Sequence, residues 1–245
     1  MSKRYEYLDG IRGLALISMI LYHGVWDLVH LFQMDWAWFN GVPGFLWQQS
    51  ICVTFIVLSG FCAGLGSRPI RRGLLLLGAG AVVNLVTIAI SPELEIEFGI
   101  LSCLGTSMLL IGLFRRGLEK IPAWPGFFCA LCLFLITYRL NRGRLGIGAL
   151  TVSLPEWLYQ GRVMTYLGFM EPGFASGDYF PVMPWFFLFV AGWFFCIGTK
   201  NRPELQRLEP PIPGVSVLGR YSLWVYLLHQ PVLYGVLLLL RRMIT

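Results

Sequence analysis

Long apolar stretches decide what this chain can fold into. Seven of them are long enough to cross the roughly 30 Å hydrocarbon core of a bilayer as helices. They lie at about residues 8–32, 44–65, 73–90, 98–114, 121–138, 182–198 and 215–240. Because lipid offers no hydrogen bonds to the backbone, only helices or a closed barrel can cross it. Barrel strands alternate apolar and polar residues, which residues 73–89 do not. The sequence predicts an all-α, polytopic transmembrane helix bundle of about seven spans.

Composition excludes a soluble globular domain, because charged side chains are too few to coat a water-facing surface. They make up 13% of the 245 residues, whereas a soluble domain has about 25%. The net charge is +6, but the basic residues are scattered through short loops, so nucleic acid is not an expected partner. The six cysteines fall almost entirely in apolar runs, so we expect packing and no metal site. With no internal repeat, residues 1–245 are predicted to form a single domain.

Loop charges predict that the amino terminus is cytoplasmic. Basic groups at residues 3–4, 68–72, 115–120 and 200–207 fall on one side, and the acidic loop 93–97 falls on the other. Arg139, Arg142 and Arg144, on the outer side, do not fit this alternation, and neither do Arg241 and Arg242. The same outer connection, residues 139–180, contains an apolar stretch at 145–158 that we expect to be interfacial or re-entrant.

Five ionisable side chains share one face of the first span. At 100° per residue they fall within an arc of about 60°; they are Asp9, Arg12, His23, Asp27 and His30. A charged group at the bilayer centre costs about 2.5–3.5 kcal/mol even on the lenient insertion scale. The stripe is therefore expected to face the bundle interior or a wet cavity. For Asp9 and Arg12, near the membrane surface, a purely structural pair at i, i+3 is the alternative.

His23 is the member of this stripe best placed for chemistry. It lies about 20 Å from the inner surface, and Asp27 follows one turn later, where it could orient the imidazole of a general base. The alternative is a histidine that only donates a hydrogen bond to another helix.

The last span carries a second polar face with Ser222, Tyr226 and His229. Pro231 cannot donate to the carbonyl of Leu227, so a kink and a free acceptor are expected there. Because the first and seventh spans run in the same direction, His229 and His23 are expected at one depth and in one site. The alternative is that His229 and Gln230 are interfacial packing groups.

These residues resemble those of known membrane enzymes. Ten residues separate Arg12 from His23, as in the R-x10-H motif of acyltransferases that modify surface glycans. An ordered set of blocks more closely resembles the bacterial members of the heparan-α-glucosaminide N-acetyltransferase-like family. The blocks are LDGIRGLA (8–15) with Met19 and His23, LSGF (58–61), RGL (72–74), FGIL (98–101) with Gly105, DYFP (178–181) with Pro184 and Trp185, and GRYSL (219–223) with HQP (229–231).

The resemblance implies transfer of an acyl group, expected to be acetyl, from cytoplasmic acyl-CoA to a sugar or glycan acceptor at or across a bacterial inner membrane. It implies catalytic roles for His23, Asp27 and His229. Contacts to acyl-CoA are implied for Asp9, Arg12, Arg68, Arg71, Arg72 and Arg116. Contacts to the acceptor are implied for Asp178, Tyr179, Trp185, Tyr226 and Gln230. No metal is implied.

Two other functions are compatible with the same residues. A transporter or permease for a small anion or glycan could use the stripe of the first span as its path, although no inverted repeat of broken helices is visible. A non-catalytic membrane subunit could use the stripe to bind a partner helix. Binding or hydrolysis of acyl-CoA separates the enzyme from both. The sequence leaves the oligomeric state open, a homodimer included.

Overall fold

The computed structural model describes residues 5–90, 95–200, 212 and 214–244. Within them, seven helices are long and apolar enough to cross a membrane, which confirms the all-α polytopic fold. The helices are α1 (Glu6–His30), α2 (Val42–Leu65), α3 (Pro69–Ile90), α4 (Ile100–Leu118), α5 (Ala123–Thr137), α6 (Arg162–Leu167), α7 (Val182–Thr199), α8 (Val215–Arg220) and α9 (Ser222–Ile244). Of the loops used to predict topology, residues 3–4, 93–94 and 201–207 lie outside the described residues.

The last apolar stretch differs from its predicted form. A single helix was expected over residues 215–240, but the chain breaks at Tyr221 (φ −100°, ψ 25°). The N–H of Tyr221 bonds to the carbonyls of Val217 and Leu218, which closes the short helix α8 before α9 begins. Only the part from Ser222 to Leu240 is long enough to span.

The connection at residues 139–180, predicted to lie on the outer side, contains the only strands among the described residues. β1 (Arg144–Ile147) pairs with β2 (Leu150–Ser153) in an antiparallel hairpin. Two 3-10 turns flank the hairpin, at Leu140–Arg142 and Glu156–Leu158. The apolar stretch predicted at residues 145–158 is therefore a hairpin followed by a turn.

The chain divides into two compact units, which are described separately. Unit 1 comprises Met1–Phe55 and Arg202–Thr245, and unit 2 comprises Ile56–Asn201. Unit 1 thus holds α1, the first part of α2, α8 and α9, and unit 2 holds the remaining elements. That residues 1–245 act as one domain stays a prediction.

In unit 1, α1 packs against α8 through two glycines. A Cβ on Gly13 would overlap the carbonyl of Val215, and a Cβ on Gly219 would overlap the carbonyl of Asp9. Small residues let two backbones approach this closely in a membrane. Further along α1, Leu16 and Met19 pack with Ile51 of α2.

In unit 2, α7 is the most buried of the helices, with Phe189, Trp193 and Cys196 almost fully enclosed. It packs against the second part of α2 through a reciprocal pair of glycines. Gly60 lies against the carbonyl of Phe189, and Gly192 lies against the carbonyl of Val57. Helix packing in this unit therefore depends on backbone contact as much as on apolar side chains.

Replacing Gly60 with alanine should lower the thermal unfolding midpoint, because the new methyl group would overlap the Phe189 carbonyl. Overpacking of this kind costs about 1–3 kcal/mol. Gly78→Ala is the matched control, since no atom lies within 4 Å of a Cβ at this helical position. The midpoints of the purified variants in detergent check this, and equal midpoints would contradict the close approach.

Candidate functional site

The structure brings His23 of α1 and His229 of α9 next to each other within unit 1. Their ring centroids are 5.0 Å apart, and the ring planes are inclined by 56°. Two aromatic rings flank the pair: Tyr22 meets His23 edge-on at 5.8 Å, and Tyr226 lies 5.4 Å from His229. The expected meeting of the two histidines is thus present, and their catalytic role stays a prediction.

A contact with the backbone indicates the tautomer of His229. Its Nδ1 bonds to the backbone carbonyl of Tyr226. A carbonyl oxygen can only accept, so Nδ1 carries the proton and, in the neutral ring, Nε2 carries the free lone pair. This Nε2 is buried and has no hydrogen-bond partner among the described residues. His229 therefore presents an unengaged proton acceptor beside His23.

Asp27 is fully buried at 0% exposure, but its hydrogen bond differs from the expected one. The expectation was that Asp27 would orient the ring of His23. Instead its Oδ1 accepts a hydrogen bond of 2.8 Å from Nε2 of Gln230. The bond joins α1 to α9, and it places Gln230, predicted to contact the acceptor, against a carboxylate.

Three buried polar atoms on these helices have no hydrogen-bond partner in the described part of the chain. They are Oδ2 of Asp27, Oε1 of Gln230 and Nε2 of His229. Buried polar atoms are nearly always hydrogen-bonded in native proteins, to protein or to ordered water. These atoms therefore leave hydrogen-bonding capacity in unit 1 for ordered water or for a polar group of a ligand.

Asp9 and Arg12 form the local pair that was the structural alternative. Nη1 of Arg12 lies 3.1 Å from Oδ1 of Asp9 and 3.4 Å from the carbonyl oxygen of Gly219. The buried Asp9 carboxylate and the guanidinium thereby tie α1 to the end of α8. His30, the last member of the stripe, is exposed and stacks on Trp26 at 4.7 Å.

Basic residues of unit 2 surround an open depression of about 500 Å³ where α3 begins and α4 ends. Arg68, Arg71 and Arg115 line it, with Ile70 and Leu74 among the apolar groups beneath them. Nε of Arg115 is held 2.8 Å from Oε1 of Glu119. Of the other predicted arginines, Arg72 and Arg116 are exposed but do not line the depression. The geometry suits an anion with an apolar portion.

The remaining predicted residues of unit 2 are engaged in the fold. Oδ2 of Asp178 accepts from the backbone N–H of Ile100, 3.1 Å away, at the start of α4. The hydroxyl of Tyr179 donates to the carbonyl of Thr165 over 2.7 Å, and burial raises the pKa of this hydroxyl. Trp185 is only 7% exposed and packs against the ring of Phe180.

An ionic cluster in the same unit was not foreseen. Nη1 of Arg162 lies 3.2 Å from Oε2 of Glu97 and 3.3 Å from Oε1 of Glu171, and its guanidinium covers the ring of Phe174 at 5.2 Å. Burial raises the pKa of the Glu97 carboxyl, and the positive charge of Arg162 opposes that rise. The acidic loop had been interpreted only as a topology signal, and no spacing in the sequence links these three residues.

Comparison with known proteins gives one result. The family model described as heparan-alpha-glucosaminide N-acetyltransferase, catalytic, matches residues 4–231. No curated protein and no solved structure gives a significant match.

A double-mutant cycle tests the bond between α1 and α9. Asp27→Leu or Gln230→Leu should each destabilise the protein by about 1–3 kcal/mol, because either change leaves a buried polar group unpaired. The double variant should be less destabilised than the sum of the two, since both partners are then removed. Asp27→Asn keeps an acceptor oxygen and should retain most of the stability. Thermal unfolding in detergent measures all four variants, and strictly additive effects would show that the pair is not coupled.

Proposed function

The chain belongs to the heparan-alpha-glucosaminide N-acetyltransferase catalytic family, and on that premise we propose that it transfers an acetyl group from acetyl-CoA to an amino or hydroxyl group of a sugar or glycan. The observation that carries the proposal is the imidazole pair His23–His229, 5.0 Å apart within a membrane-spanning unit. Family membership favours this enzyme over a transporter or a non-catalytic subunit.

The pair suits general-base chemistry. His23 is the proposed base, which removes the proton from the acceptor as its nitrogen or oxygen attacks the thioester carbonyl. The new C–N or C–O bond forms, the C–S bond breaks, and the proton passes from His23 to the departing thiolate of CoA. No covalent acyl-histidine is required.

His229 has a supporting part in this proposal. Its tautomer leaves Nε2 as a hydrogen-bond acceptor, and the ring lies beside that of His23. An acceptor in this place stabilises the imidazolium that forms when His23 takes up the proton. Asp27, predicted as catalytic, acts through its hydrogen bond to Gln230, which fixes α9 and hence His229 relative to α1.

The depression of unit 2 supports binding of the CoA phosphates. Arg68, Arg71 and Arg115 are the guanidinium groups that line it, and guanidinium groups bind phosphate oxygens with bidentate geometry. Arg72 of α3 and Arg116 of α4 do not line the depression, and their contacts with acyl-CoA stay predictions. For Asp9 and Arg12, predicted to accompany the donor, the contacts seen support a structural role at the α1–α8 junction.

For the acceptor, the proposal relies mainly on α9. Oε1 of Gln230 has no partner among the described residues, so it can accept from an acceptor hydroxyl or amine, and Tyr226 lies against His229. Acceptor binding by Asp178, Tyr179 and Trp185 stays a prediction. The contacts described for these residues are with other residues of unit 2.

Charge distribution completes the proposal. The proposed location of this multi-pass protein is the bacterial inner membrane, and the concentration of basic residues in alternate loops favours a cytoplasmic amino terminus. Acetyl-CoA would then be drawn from the cytoplasm and the acceptor presented at or across the membrane.

Removing either imidazole should slow transfer. His23→Ala is expected to lower the rate by at least about 100-fold, the usual contribution of a positioned base. His229→Ala removes the acceptor that stabilises the imidazolium and should lower the rate by a smaller factor. The measurement is incorporation of label from radioactive acetyl-CoA into amino sugars by proteoliposomes. His30→Ala is the matched control, because this histidine is exposed on the same helix. Wild-type rates in a folded His23→Ala variant would contradict the proposed mechanism.

Removing positive charges from the depression should weaken acetyl-CoA binding without slowing acetyl transfer. The double variant Arg68→Gln/Arg71→Gln is expected to raise KM for acetyl-CoA about tenfold and to leave kcat unchanged, because phosphate contacts are the same in ground and transition states. Lys200→Gln removes an exposed charge of unit 2 that does not line the depression, and it is the control.

A shortened donor sharpens this test. Acetyl-dephospho-CoA lacks the 3′-phosphate, so a smaller effect of the double variant on this donor would assign the arginines to that phosphate. An unchanged KM for acetyl-CoA would remove the depression from the donor site.

A further inference from the structure

The hairpin in the outer connection of unit 2 has one wholly apolar face. Opposite residues of an antiparallel pair point to the same side, and successive residues alternate. The register pairs Leu145 with Val152 and Ile147 with Leu150, so these four side chains share one face. The other face carries Arg144, Gly146, Thr151 and Ser153.

Three of the four residues of this apolar face are exposed in the described structure, and Leu145 is half-buried. Ile147 is 52% exposed, Leu150 87% and Val152 67%. Trp157, in the turn that follows, is also exposed. A two-stranded hairpin is at best marginally stable in water, and a contiguous apolar surface rimmed by polar groups marks an interaction site. The face therefore requires an apolar environment.

Chain geometry holds the hairpin beside the membrane. The candidate span that contains α5 and the 3-10 turn after it extends over Ala123–Arg142, so β1 begins two residues after it. Leu154, just past β2, donates its N–H to the carbonyl of Gly143 over 2.9 Å. The hydroxyl of Tyr159 donates to the carbonyl of Leu140 over 2.7 Å. The first bond closes the base of the hairpin, and the second fastens the turn after it to the end of the spanning segment.

Charge at the base of the hairpin complements phospholipid. Arg139, Arg142 and Arg144 are all exposed, and none forms an ion pair with another described residue. These are the arginines that the positive-inside rule leaves unexplained. Guanidinium groups beside a spanning helix attract lipid phosphates, and tryptophan is enriched at the same depth.

We propose that the hairpin of residues 144–153 lies flat in the membrane interface, with Leu145, Ile147, Leu150 and Val152 against the acyl chains and the three arginines on phospholipid phosphates. The bilayer thus surrounds the transmembrane helices and also binds this hairpin through specific contacts. The inference concerns lipid binding and holds whether or not the protein transfers acetyl groups.

Adjacent residues of β2 provide the test. A genetically encoded fluorescent amino acid is placed at Leu150 or at Thr151 in the otherwise unchanged protein, which is then reconstituted in nanodiscs. Lipids brominated in the acyl chain should quench the probe at 150, and aqueous iodide should quench the probe at 151. Substitution at Val152 and Ser153 should repeat the alternation. Iodide quenching at 150, or equal quenching on both faces, would overturn the proposal.

A second copy of the chain is the competing occupant of this face. Energy transfer between probes at 150 on two copies, together with loss of bromolipid quenching, would also overturn the proposal.

The arginines are tested separately by lipid composition. Bromolipid quenching at 150 should be stronger in phosphatidylglycerol than in phosphatidylcholine nanodiscs, and the triple variant Arg139→Gln/Arg142→Gln/Arg144→Gln should lose that difference. Lys200→Gln should keep it. A difference retained in the triple variant would overturn the role of the arginines.

Discussion

A polar side chain within hydrocarbon must find another polar group, and this requirement organises unit 1. The carboxylate of Asp27 receives the amide of Gln230, and the guanidinium of Arg12 bridges Asp9 and the carbonyl of Gly219. The bond to Gln230 joins α1 to α9, and the bond from Arg12 to Gly219 joins α1 to α8. Leaving such groups unpaired in hydrocarbon costs free energy, so these contacts favour the observed register of the helices.

The atoms that remain unpaired are as informative as those that are paired. Nε2 of His229 and Oε1 of Gln230 are buried without partners among the described residues, and the ring of His23 lies beside that of His229. Buried polar atoms are nearly always hydrogen-bonded to protein or ordered water, so these atoms leave capacity for water or a polar ligand group. A base placed there would work where bulk water is scarce, and charge interactions are stronger in such surroundings.

Much of this could be predicted from the sequence. The spans could be located because the length and hydropathy of a segment decide whether it can cross a bilayer, and both are local properties of the sequence. The meeting of His23 and His229 followed from helical periodicity and the direction of the spans. The partner of Asp27 could not be predicted, because Gln230 is 203 positions away and His23, one turn away, was the nearer candidate. The cluster of Arg162 with Glu97 and Glu171 was missed for the same reason.

What the sequence by itself determined is the number of spans, the side of the first span that carries charge and the family to which the chain belongs. These three features depend on composition, on the periodicity of polar residues and on the order of sequence motifs along the chain. Only the tertiary structure decided which polar groups meet, where the last apolar stretch breaks and which face of the hairpin is apolar. Those features depend on register between segments, and a slip of one residue in a strand would turn every side chain to the opposite face.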